Sequence, residues 1–236
     1  RRLGKRAGGA AALLASAATS VARPMLAAKV VGAAVAVAAA GAAAFGLTLA
    51  FGAKYVRHPY PEVESSDGEA VILAGSYNPP HMGHLEMLRY LSKRHARVVA
   101  IIGVNPTKKY DVSPYQRQEI LRAMLVETGL ENVEVVVWGS IIFFYAHSIG
   151  AKVMYRGIRT WKDDSRAEKY LEFQNLFYQL LFRYWPIPTA YLQGAPELSG
   201  VSSTLLRKRL ASGEDIADLV PQGCVEMVRR AYAPNA

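Results

Sequence analysis

His81 and His84 stand three residues apart, so in the first turn of a helix both imidazoles share one face. Upstream, the apolar run Ala70 to Ala74 has the length and composition of a buried parallel strand. Gly75-Ser76 breaks that run, and Asn78-Pro79-Pro80 forces a rigid turn. Leu85, Leu88 and Leu91 then recur at helical spacing, which predicts a helix from about His81 or Met82. A strand, a glycine turn and a helix N-terminus make an anion site. The small turn lets backbone N–H groups approach, and the helix end adds roughly half a positive charge. Two imidazoles and the Ser76 hydroxyl beside such a site suit phosphoryl or nucleotidyl transfer, in which a protein mainly positions groups and neutralises charge. A bare His-x-x-His pair is more often a surface coincidence or a fragment of a zinc site; here the flanking elements tip the balance, and no third zinc ligand is near.

Further along, the chain repeats the pattern of strand, then polar loop. Val98 to Val104 is a second continuous apolar run, followed by Asn105-Pro106-Thr107-Lys108-Lys109, a basic pair where an open α/β sheet binds anions. Ser113-Pro114-Tyr115-Gln116 is a capping box with Pro at the first helical position, and the helix is expected to reach about Glu127. Val133 to Val137 gives a third strand and Ile141 to Ile149 a short helix. Lys152 to Tyr155 gives a fourth strand that delivers Arg156-Gly157-Ile158-Arg159 at its end. Guanidinium groups suit bidentate phosphate contacts, and Gly157 permits close backbone approach. Thr189 to Leu192 is a fifth strand, and Ser202, Ser203 and Thr204 cap a helix that carries Arg207 and stops at Gly213. Five βα units, with anion-binding groups after strands one, two, four and five, predict an α/β doubly wound parallel five-stranded sheet.

These stretches resemble motifs of the nucleotidyltransferase superfamily, so the expected fold is its Rossmann-like one. Gly75 to Pro79 followed by His81-Met82-Gly83-His84 is similar to the T/HxGH signature, and Val201-Ser202-Ser203-Thr204 with Arg207 is similar to ISSTxxR. Arg156-Gly157-Ile158-Arg159 resembles the RGLR element of phosphopantetheine adenylyltransferases, and Asn105 to Lys109 their NPxKK element. The resemblance covers about residues 70 to 232. It implies adenylyl transfer from ATP, with Mg2+ carried on the nucleotide phosphates, to 4′-phosphopantetheine, giving dephospho-coenzyme A and pyrophosphate. It implies His84, His81 and Lys108 as catalytic groups. Phosphate binding falls to Gly75, Ser76, Arg156, Gly157, Arg159, Ser202, Ser203, Thr204 and Arg207. Glu172 is in the place of the family's nucleotide-contacting glutamate, but Thr160 to Lys169 puts about five extra residues before it. The bacterial enzymes form hexamers, an assembly that the altered helix here puts in question. Nicotinate or nicotinamide mononucleotide is the rival acceptor. A different class of reading is a nucleotide-binding subunit of a membrane complex that keeps this fold.

The N-terminal quarter differs in kind. Residues 1–61 contain eight Lys or Arg and no Asp or Glu, whereas the remainder holds 20 basic against 19 acidic residues. The overall charge of +9 therefore comes from this segment and signals no nucleic-acid partner. Arg-bearing, Ala- and Ser-rich, acid-free sequence over residues 1–29 looks like organellar targeting, mitochondrial or else plastid. The opening Arg leads to the expectation of upstream processing or truncation. Val30 to Ala53 lacks charge for 24 residues, about 36 Å as a helix against a hydrocarbon core of about 30 Å, although 15 of them are Ala or Gly. The expectation is a single transmembrane helix over 30–53, in the mitochondrial inner membrane, with lipid and other membrane subunits as partners. Tyr55, His58, Pro59 and Tyr60 then form an interfacial belt in a linker over 54–68, leading to an adenylyltransferase-like domain over 69–236. Cys224 is the sole cysteine, so neither a disulfide framework nor a cysteine-ligated metal is expected.

Overall fold

The computed structural model describes residues 29–44, 46, 54–63, 66–104, 110–158 and 161–232. Each apolar run becomes a strand, and each run of helical spacing a helix. The strands are β1 (Lys54–Val56), β2 (Ala70–Gly75), β3 (Arg97–Gly103), β4 (Val133–Trp138), β5 (Val153–Ile158) and β6 (Thr189–Gln193). Residues 29–44 form α1. The other helices are α2 (Met82–Arg94), α3 (Pro114–Glu127), α4 (Ile142–Ser148), α5 (Trp161–Leu181), α6 (Ser203–Ser212) and α7 (Val225–Tyr232).

All six strands join one sheet in the order β1-β6-β5-β2-β3-β4, and every neighbouring pair is parallel. The chain winds from β2 outward through β3 and β4, then returns to place β5 and β6 on the other side. The order reverses between β2 and β5, and in such sheets the crevice at that point binds ligands beyond the carboxyl ends of the strands. Both faces are covered, which is why the strands are apolar at successive positions. Val71, Leu73, Val98, Ala100 and Ile102 pack with Leu85, Leu88 and Leu91 of α2 and Ile120 and Leu121 of α3. On the opposite face Ile72, Val99, Ile101 and Met154 meet Phe143 and Ala146 of α4.

Three features differ from the sequence reading. The sheet has six strands rather than five, because Lys54–Val56, expected to be linker, pairs with Ala190 to Leu192 along the β6 edge. An edge strand of three residues carries too little pattern to be read as one, and its stability comes from the backbone groups that β6 offers. Secondly, α5 already begins at Trp161, so the stretch ahead of Tyr170 extends that helix. Thirdly, among the described residues no helix is long and apolar enough to cross a membrane. The expected span is helical over 29–44, while residues 45 and 47–53 lie outside the described residues. Those positions hold Phe45, Leu47, Leu49 and Phe51, which with Val35 and Val37 supplied most of the expected driving force. What α1 offers is largely Ala and Gly, with Ala40 and Ala44 buried and Val30, Val31, Val35 and Val37 exposed.

Candidate active site

Beyond β2 the backbone turns through Ser76 to Pro80, with Tyr77 in the left-handed region at φ 45°. Four distant side chains hold this turn. Arg117 of α3 donates to the Ser76 carbonyl (2.5 Å), and Arg207 of α6 donates to that of Asn78. Ser203 Oγ donates to the Pro79 carbonyl (2.8 Å), and the Tyr232 hydroxyl of α7 donates to Asn78 Oδ1 (2.7 Å). The Met82 N–H reaches the Leu219 carbonyl at 2.9 Å. The turn is thus fixed before any ligand arrives, the condition under which aimed donors stabilise developing charge most.

Helix α2 starts from this turn with His81 at its N-cap and His84 at the third position. The His81 backbone N–H donates to His84 Nδ1 (3.3 Å). A neutral imidazole whose Nδ1 accepts carries its proton on Nε2, so His84 offers an Nε2–H donor. The two rings lie 3.8 Å apart between centroids, and Tyr77 packs on His84 at 4.7 Å. His81 is buried, and its Nδ1 has no hydrogen-bond partner among the described residues. Burial lowers the His81 pKa to about 4; burial and the neighbouring His81 hold that of His84 well below the ordinary histidine value. Both rings are therefore neutral at pH 7.

Native His81 stays neutral while unfolded His81 protonates below about 6.5. The stability that this difference contributes is present above pH 6.5 and lost as the pH falls toward 4. The expected slope from His81 alone is about 1.4 kcal/mol per pH unit in that window. Urea unfolding between pH 7 and 5 should therefore show a shallower decline in His81→Gln than in wild type; equal slopes would refute the assignment.

At the reversal point lies a cavity of about 670 Å3, lined by Gly75, His81, His84, Gly157 and Ser202 among the residues singled out from sequence. Glu168, Gln193, Met87 and Tyr77 also line it. A Cβ at Gly157 would lie 2.7 Å from Met87 Sδ, so any larger residue there must displace that flexible side chain. Ser202 caps α6, accepting from the Leu205 N–H (3.1 Å), so the start of that helix also faces the cavity.

Other sequence candidates fall differently. Ser76 and Arg207 act in the turn just described, and exposed Thr204 accepts from Arg207 at 3.4 Å. Arg156 forms a bidentate pair with Glu168, Nε to Oε2 at 2.5 Å and Nη2 to Oε1 at 2.9 Å. Glu172 is buried beside Tyr191, whose pKa is raised by burial and then by this carboxylate, and is not among the residues lining the cavity. The acidic wall residue is Glu168, one helical turn earlier. Lys108 and Arg159 lie outside the described residues.

Sequence reasoning missed Glu168, Gln193 and Arg117. For Glu168 the signal was the ten-residue stretch Thr160 to Lys169, which has no Gly or Pro and lets α5 begin already at Trp161. For Arg117 it was position, since 117 continues the buried stripe of Ile120, Leu121 and Met124. Arg117 is fully buried, 4.4 Å over the Tyr110 ring, and its Nη2 has no partner among the described residues. For Gln193 no local signal existed.

Residues 72–209 match the cytidylyltransferase-like family. The phosphopantetheine adenylyltransferase of Rubrobacter xylanophilus is 31% identical over 162 residues, covering 69% of this chain and 94% of that one. That of Synechococcus sp. (strain JA-2-3B'a(2-13)) is 32% identical, covering 67% and 94%. That of Treponema pallidum is 27% identical, covering 68% and 96%.

Proposed function

Because the chain belongs to the cytidylyltransferase-like nucleotidyltransferases, we propose that its cavity transfers adenylyl from ATP to 4′-phosphopantetheine. An oxygen of the acceptor phosphate attacks the α-phosphorus in line. The bond from that phosphorus to the α,β-bridging oxygen breaks, releasing pyrophosphate and leaving dephospho-coenzyme A. The acceptor is already an anion, so no side-chain nucleophile is required and catalysis is a matter of placement and charge. The observation that carries this reading is the neutral His84 Nε2–H at the start of α2, on a turn that four distant side chains hold rigid.

In this reading His84 donates to the α-phosphate as charge builds, and His81 and Ser76 border the triphosphate. Ser202 and the start of α6 receive the leaving pyrophosphate. Arg156 and Lys108 balance the acceptor phosphate. Magnesium would come with the ATP phosphates. Among the described residues lining the cavity the one carboxylate is Glu168, and Arg156 holds both of its oxygens, so the chain's own groups fit a metal delivered on substrate.

The test is pyrophosphate release by the full chain with ATP, magnesium and phosphopantetheine. Turnover is expected. Release with nicotinate or nicotinamide mononucleotide but not with phosphopantetheine would reassign the acceptor, and release with none of them would overturn the reading.

A further inference from the structure

Residues 54–60 precede the part of the chain that matches the family, residues 72–209, yet they grip one wall of the cavity. β1 lies in register with β6, Tyr55 opposite Tyr191, so Tyr55 shares a sheet face with Tyr191 and with Gln193 two residues on. From that face the Tyr55 hydroxyl donates to Gln193 Oε1 at 2.9 Å. From the other face the Tyr60 hydroxyl donates to the Gln193 backbone carbonyl at 2.8 Å. Tyr60 is itself held, its ring 4.5 Å from that of Tyr90 on α2. A third contact reaches further along the rim. His58 Nε2 lies 3.7 Å from Glu197, between the cavity-lining Pro196 and Leu198.

The consequence is chemical. A primary amide has an accepting end and a donating end. Tyr55 holds the accepting oxygen of Gln193, so the group that this cavity-lining residue has left for a ligand is its N–H2. We propose that residues 54–60 are a positioning element of the active site: Tyr55 and Tyr60 hold Gln193 so that its amide N–H2 recognises a neutral hydrogen-bond acceptor of a bound substrate. The acceptor is a ring nitrogen of the nucleotide base or an amide carbonyl of the pantetheine arm. Gln193 is the ligand-contacting residue, and the tyrosines act through it. The segment leading back to α1 thereby becomes part of substrate recognition.

This inference rests on the adenylyl-transfer reading for the identity of its two ligands, and the experiment keeps the two separable. In the full chain, KM and Kd for ATP and for phosphopantetheine are measured separately in wild type, Tyr55→Phe, Gln193→Leu and the double variant. Tyr55→Phe removes one oxygen from an edge strand, so folding is not at stake. Loss of one neutral hydrogen bond predicts KM and Kd raised about three- to tenfold for one ligand, the same one in both single variants. The expected kcat stays within about twofold, and the double variant should be no worse than Gln193→Leu. Which ligand responds tells whether the acceptor is on the base or on the pantetheine arm. A purely structural role would instead lower the unfolding midpoint and move both ligands together. That result would overturn the inference, as would unchanged affinities in Gln193→Leu or additive effects in the double variant. Wild type that binds both ligands without turnover would sink the reaction, while the Kd comparison still decides the role of Gln193. Wild type that binds neither would sink both.

Discussion

His84→Ala is expected to lower kcat by about a hundred- to a thousandfold, the effect of removing one aimed donor worth about 3–4 kcal/mol in the transition state. The geometry gives the reason. His84 Nδ1 is occupied by the His81 N–H, so the ring can present only its Nε2–H, and its depressed pKa keeps it a neutral donor. A donor that strengthens only as charge builds lowers kcat with little change in the KM for ATP. Stability should fall by only about 1 kcal/mol, since His84 contributes one capping hydrogen bond at the start of α2. Steady-state kinetics beside a urea unfolding curve separates the two effects. A variant within about threefold of the wild-type rate would remove His84 from the mechanism.

The second large effect is expected at Arg156. Arg156→Met deletes a cation and leaves the Glu168 carboxylate, whose side chain is 11% exposed, without its bidentate partner on the cavity wall. Breaking such a pair leaves an uncompensated, largely buried charge, which costs about 3 kcal/mol. The same uncompensated carboxylate repels the polyphosphate and the acceptor phosphate, so kcat/KM should drop about a hundredfold or more. A double variant distinguishes these contributions. Arg156→Met with Glu168→Leu replaces both charges by apolar groups of similar size and should recover most of the stability, because a buried ion pair is often matched by good packing. It should not recover activity, because the cation is still missing. Full recovery of kcat/KM in the double variant would show that Arg156 serves only to neutralise Glu168.

The strand-turn-helix at 70–94 was legible because its signals are local. An apolar run of strand length, a Gly-Ser break, a pair of prolines and leucines at helical spacing each constrain the backbone within a few residues. The same holds for the Ser113 capping box and the Ser202 cap, both formed as expected. The order of the five βα units fixed the doubly wound sheet, because right-handed crossovers leave few ways to arrange them. His81, His84, Gly75, Gly157 and Ser202, picked out from three separate stretches, do line one cavity.

Three matters were settled only by packing. Lys54–Val56 became a strand because β6 had an unpaired edge within reach, which no property of three residues can announce. Arg156 and Arg207, both read as free cations for phosphate, each found a protein acceptor, Glu168 and the Asn78 carbonyl, because half-buried guanidinium groups seek acceptors nearby. Gln193 acquired its orientation from Tyr55 and Tyr60, more than 130 residues away in sequence. Sequence by itself determined the groups that the backbone carries and the turns that place them, since those depend on neighbours along the chain. The tertiary structure decided which polar groups are already engaged and which still face the ligand, since that depends on partners brought close only by the fold.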